Sequence, residues 1–184
     1  MTMTTKDSLT LQEHVSRPDS FQHHFSQLSW ERGLETFFLE KVPFGFSNSY
    51  EMANRLLLLI EAFLKDSGKE KITVLILGAG VALLPKHLLD LLQEQAHPLY
   101  KKVSFVITDF QETFSEDIDR MGHLKKHQEH CDIRSFNVLT DDFGALPPID
   151  FCIMTYLLDS LPHYHLEYDK KKLYDWQVKS ECLE

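Results

Sequence analysis

The chain has 184 residues, 43% of them hydrophobic and 26% charged, with a net charge of −9 and an isoelectric point near 5.5. This composition fits one globular domain with a full core and excludes a fibrous or disordered chain. The acidic balance argues against nucleic acid as a generic partner, because the one basic run, Lys170-Lys171-Lys172, is short and flanked by acids.

Cys131, Cys152 and Cys182 are odd in number and scattered, so a disulfide framework is not expected. Met1 to Thr10 lacks a charged-then-apolar signal pattern, and no apolar run reaches the length of a bilayer span. A cytoplasmic location without membrane contact is the expectation.

Residues 1–46 read as an N-terminal helical lead-in and residues 47–184 as the core domain. The first 18 or so residues look loosely attached. Pro18-Asp19-Ser20 then starts a helix carrying Phe21, Phe25 and Leu28, and Phe37-Phe38 continues on the same layer. Pro43-Phe44-Gly45-Phe46 breaks the chain. Asn48 with Glu51 resembles a capping box for a leucine-rich helix that Gly68 ends.

From Ile72 onward apolar strands alternate with amphipathic helices, with strands at 72–77, 103–108, 133–138 and 149–155 and a fifth candidate at 173–178. The pattern predicts an α/β fold: a Rossmann-like, doubly wound, mainly parallel sheet with helices on both faces. Phe114, Ile118, Met121 and Leu124 form one apolar stripe on a charged helix between the second and third strands.

The first of these strands, Ile72 to Leu77, stops at Gly78-Ala79-Gly80, after which Val81 to Glu94 reads as a helix. Glycines let the backbone turn sharply and approach a ligand, and the helix start offers unpaired N–H groups. A tight strand-to-helix turn also wants a glycine for purely structural reasons.

The second strand ends in Asp109. In a doubly wound fold an acid there lies near the glycine loop, where its oxygens can accept from both ribose hydroxyls of a nucleotide. It can equally cap the next helix; the upstream glycines favour the ribose role. Asn137 ends the third strand, as an adenine-reading amide or an ordinary loop residue. The fourth strand, Ile149-Asp150-Phe151-Cys152-Ile153-Met154, runs into Thr155-Tyr156-Leu157-Leu158-Asp159-Ser160-Leu161-Pro162.

Together these segments resemble the class I S-adenosylmethionine-dependent methyltransferases over about residues 47–165, and Leu157 to His165 is similar to the corresponding segment of the MidA-type members. The resemblance implies S-adenosyl-L-methionine as cofactor and methyl transfer to an unidentified acceptor, in some MidA-type proteins an arginine of a protein partner. It places Leu77, Gly78, Ala79 and Gly80 around the methionine part, Asp109 on the ribose, Phe110, Asn137 and Val138 near the adenine, and Thr155 and Tyr156 beside the methyl group. It designates no catalytic residue, although Asp159 or Tyr156 could orient a nitrogen nucleophile.

Departures from the family accompany the likeness. Ile76 stands where the family usually has an acid, Ala82 where it has a third glycine, and Thr155-Tyr156 where MidA-type proteins have Asn-Glu. The family sheet normally has seven strands, so the core is expected to be incomplete at its C-terminal end, as a piece of a longer protein or a reduced relative.

The residues leave three alternatives to this reading. A methyltransferase-like domain that no longer catalyses would bind or scaffold. A nicotinamide site would use the same Gly78-Ala79-Gly80, but its fingerprint wants a glycine where this chain has Leu83. A metal held by His123, His127, His130 and Cys131 is disfavoured by the intervening lysines, which point instead to a solvated histidine-rich face; the same holds for His163 and His165.

Overall fold

The computed structural model of the chain describes residues 8–32, 46–158 and 160–183. In chain order the regular elements are β1 (Ser8–Ser16), α1 (Phe21–Glu31), α2 (Tyr50–Ser67), β2 (Ile72–Leu77), α3 (Leu83–Glu94), β3 (Val103–Asp109), α4 (Phe114–Met121), β4 (Cys131–Ser135), β5 (Phe151–Met154), β6 (Leu166–Asp169), β7 (Lys172–Asp175) and β8 (Gln177–Leu183). Phe37, Phe38 and Pro43 to Gly45, read above as a layer and a break, lie outside the described residues, as does Asp159.

The described residues form two compact units, one of residues 46–157 and one of residues 8–32 with 158 and 160–183. The first unit is α/β and Rossmann-like: a parallel sheet in the order β4-β3-β2-β5. Ile72 pairs with Val103 through to Leu77 with Thr108, and on the other side Val74 pairs with Phe151 through to Leu77 with Met154. The chain leaves β2 first toward β3 and β4 and returns later to β5, so β2 and β5 flank the point where the strand order reverses.

Burial on both faces explains the uninterrupted apolar run of β2, where only Thr73 is less than buried. Ile72, Val74, Ile76, Val103, Phe105 and Ile107 share one core with Leu57 and Ile60 of α2, Leu84, Leu88, Leu89 and Leu92 of α3, and Phe114 and Ile118 of α4. Each fully buried aliphatic side chain contributes about 1.5–3 kcal/mol. Leu75, Leu77 and Val106 point to the opposite face, where Phe136, Val138, Leu146, Ile149 and Leu157 pack on them. Among the described residues this second face is covered by loop segments.

Helix ends follow local chemistry. The Ser49 hydroxyl, not Asn48, caps α2 by accepting from the Met52 N–H at 3.1 Å, and Gly68 closes the helix in the left-handed region at φ +64°. Helix α4 stops at Met121 because Gly122 (φ +69°) donates back to the Ile118 carbonyl at 3.0 Å. Leu124 and the histidines beyond it therefore leave the helix for a 3-10 turn at Lys125–His130. The third strand ends at Ser135 rather than 138, and the fourth spans only Phe151–Met154.

In the second unit, residues 8–16 form a strand where a loose lead-in was expected, and β1 pairs antiparallel with β8. Ser20 caps α1, its hydroxyl accepting from the His23 N–H at 3.2 Å. The fifth candidate strand divides at Trp176: β7 pairs with β6 and β8 with β1, and neither extends the parallel sheet. The physical reason is local, since Lys170 (φ +46°) and Lys171 (φ +65°) turn the chain back sharply into a hairpin.

Candidate functional site

The C-terminal end of β2 is built by its own glycines. Gly78 (φ +67°) and Gly80 (φ +57°) adopt the left-handed conformation that glycine reaches without a Cβ penalty. The loop is pinned on the β3 side: the Ala79 N–H donates to the Thr108 carbonyl at 2.9 Å, and the fully buried Thr108 hydroxyl donates to the Ile76 carbonyl at 2.9 Å. Ala82 also takes a positive φ of 52° and caps α3 without any side-chain hydrogen bond. Ile76 is 2% exposed and belongs to the core.

Asp109 comes directly against this loop. One carboxylate oxygen accepts from the Gly80 N–H at 2.8 Å and the other from the Phe110 N–H at 2.9 Å. Burial raises the Asp109 pKa above the ordinary carboxylate value, opposed by those two N–H groups and that of Gln111. The side chain is half-buried, and Phe110 beside it is 40% exposed.

The other expected site residues separate into two groups. Leu77 is buried, and Thr155 follows Met154, whose register partner is Leu77, so Thr155 lies at the same sheet end as the loop. Val138 packs on the Leu75 and Leu77 side. Asn137, however, is committed to its own loop: its side-chain oxygen accepts from the Leu139 N–H at 3.0 Å, and its N–H donates to Asp141 at 2.8 Å. That is the turn chemistry an Asn favours.

Leu157 completes the site. A Cβ placed on Gly78 would lie 3.2 Å from Leu157 Cδ1 and 3.4 Å from its Cβ, so this side chain stands directly over the glycine. Just before it, Tyr156 holds a left-handed backbone at φ +58° and is 72% exposed. Two cavities lie elsewhere, one of about 240 Å³ beside Ile118, Leu124 and Cys131 and one of about 470 Å³ beside Leu64, Gly68 and Leu99.

Of the histidines beyond α4, His127 belongs to a buried network rather than to a solvated face. His127 is fully buried; its Nε2 lies 2.8 Å from Asp90 Oδ1 and its Nδ1 2.8 Å from the Tyr100 hydroxyl. Asp90 also receives the ammonium groups of Lys86 at 2.6 Å and Lys126 at 2.5 Å, and the Tyr50 hydroxyl at 3.3 Å. Burial pushes the Asp90 pKa up, but the hydrogen bonds from His127, Lys126 and Lys86 outweigh it and hold the carboxyl well below the usual range. His123 faces Val81 and Ala82 behind the loop, and burial lowers its pKa. Among the described residues no group of three or more His, Cys, Asp or Glu is arranged to hold a metal ion. The signal for this network was present in the sequence: an acid inside Leu88-Leu89-Asp90-Leu91-Leu92, with Lys86 four residues before it.

No family model matches the chain, and no curated protein matches it. Among solved structures the chain is similar to a methyl-transferase candidate from Burkholderia thailandensis bound to S-adenosyl-homocysteine, with 16% identity and a TM-score of 0.46. The match covers 73% of this chain and 35% of that one, so the chain spans about a third of that protein's length. Among the described residues no helix is long and apolar enough to cross a membrane.

Proposed function

We propose that the C-terminal end of β2 and β3 is an adenosyl site, and that the protein is an S-adenosyl-L-methionine-dependent methyltransferase of the cytoplasm acting on a protein side chain. The observation that carries this reading is the juxtaposition of Gly80 and Asp109 at 2.8 Å, beside the point where the strand order reverses. The chemistry fits the group: two left-handed glycines present no Cβ to a ligand, and the carboxylate keeps acceptor capacity after its two N–H bonds. Phe110, exposed beside it, offers an aromatic surface for a base.

Bound S-adenosylmethionine supplies an electrophilic methyl group on a sulfonium. The chain's own work is then binding and alignment. Asp109 would hold the ribose hydroxyls, and the loop from Leu77 to Gly80 would line the methionine part, with Val138 on the adenine side and Thr155 at the methyl end. Asn137 contributes by shaping the loop that carries Val138. The test is isothermal titration with S-adenosylmethionine, S-adenosylhomocysteine and NAD, followed by transfer of radiolabelled methyl to lysate proteins. Binding of the two adenosyl compounds with labelled protein supports the proposal, and binding of NAD alone overturns it.

A second reading, a methyltransferase-like domain that binds without turnover, is favoured by one observation: Leu157 fills the approach to Gly78. Adenosyl binding without label transfer would select it.

A further inference from the structure

Leu157 brings the segment after β5 against the glycine that ends β2. Gly78 ends β2, Leu157 follows β5, and these strands are neighbours whose last register pair is Leu77 with Met154. The side chain is held there from behind by the apolar cluster of Leu75, Leu77, Val106 and Phe136. The residue before it, Tyr156, has the left-handed backbone at φ +58° that a side chain bearing a Cβ rarely adopts. A dihedral of this kind persists only where the surrounding structure enforces it, and such dihedrals cluster at ligand clamps and switch segments.

We propose that Leu157 is an autoinhibitory latch on the adenosyl site, closed in this structure over Gly78 and released when Tyr156 leaves the left-handed region. The proposal rests on the adenosyl reading above. With the latch closed, the methionine part of the ligand cannot approach the Gly78 backbone, because Leu157 Cδ1 already occupies the position next to it. Release exposes the glycine and lets Tyr156 return to an ordinary backbone conformation. The observed affinity of the wild type is therefore its intrinsic affinity reduced by the fraction of molecules that are open.

The experiment is isothermal titration of S-adenosylhomocysteine into the full chain and into Leu157→Ala and Leu157→Val, with circular dichroism to confirm folding. Leu157→Val serves if the alanine variant does not fold, since it removes the reach of Cδ1 while keeping a branched apolar side chain. Shortening Leu157 is expected to tighten binding at least tenfold, and hydrogen exchange at residues 155–157 is expected to speed up when ligand is added to the wild type. Equal or weaker affinity in the folded variants overturns the latch and leaves the adenosyl site standing. Absence of binding in all three proteins removes the site itself, and the latch with it.

Discussion

His127 Nε2 and Asp90 Oδ1 lie 2.8 Å apart with 0% and 3% of their side chains exposed, which makes this pair the polar centre of the α/β unit. It ties the 3-10 turn after α4 to the middle of α3. A buried carboxylate surrounded by donors stabilises through them, and removing it leaves those donors without an acceptor.

Asp90→Ala is therefore expected to destabilise the protein by about 2–4 kcal/mol, with Asp90→Asn less severe. Urea unfolding followed by circular dichroism measures both. The pH dependence has a definite sign: because the folded-state pKa of Asp90 is depressed, its stabilisation is fully present above the unfolded value of about 3.9 and is lost as pH falls toward the folded one. The wild type should lose stability below about pH 4 more steeply than Asp90→Asn.

Asp109 behaves in the opposite sense. Burial raises its pKa, so ionisation costs stability as pH rises from the unfolded value of about 3.9 through the folded value. Asp109→Asn removes that cost but turns an amide N–H toward either the Gly80 or the Phe110 N–H, a donor facing a donor. The expected outcome is a loss of about 1–2 kcal/mol at neutral pH, by urea unfolding, with S-adenosylhomocysteine affinity falling much further than stability. Unchanged affinity in a folded Asp109→Asn protein would argue against the ribose role.

Gly78→Ala adds two penalties: a left-handed backbone for alanine, and a Cβ at 3.2 Å from Leu157 Cδ1. A loss of about 1–2 kcal/mol is expected from the backbone alone. In the double variant with Leu157→Ala the steric part should vanish while the backbone part stays, so the two substitutions are expected to be less than additive in a thermal or urea cycle.

The cysteines should differ in reactivity. Cys131 is partly enclosed and its thiol is pushed up to about 12 by burial, whereas Cys152 and Cys182 are exposed. A thiol reagent at pH 8 should modify Cys182 and Cys152 first and Cys131 only on unfolding, as peptide mapping by mass spectrometry would show. Early modification of Cys131 would contradict the packing around it.

The parallel sheet was legible because its signal is local and strong. Ile72 to Leu77 has no polar residue but Thr73 and ends at a glycine, and its bounds match the expectation residue for residue. Asp109 was legible for a similar reason, lying at the end of a strand whose depth the apolar run fixes. What the sequence could not convey were contacts between distant segments. Nothing in the spelling of Leu157 says that its side chain will rest on Gly78, nor does the spacing of His123, His127 and His130 reveal that Gly122 ends the helix and turns His127 inward. Residues 173–178 do form strand in β7 and β8, on either side of Trp176, but strand propensity says nothing of the pairing partner, which is not the parallel sheet.

The two strands that flank β2 are held to it unequally. On one side β2 and β3 are zipped over six register pairs, while β5 is joined to β2 over four and, among the described residues, is an outer strand. Fewer ladder pairs hold β5 than β3, so amide exchange along β5 should outpace exchange along β3.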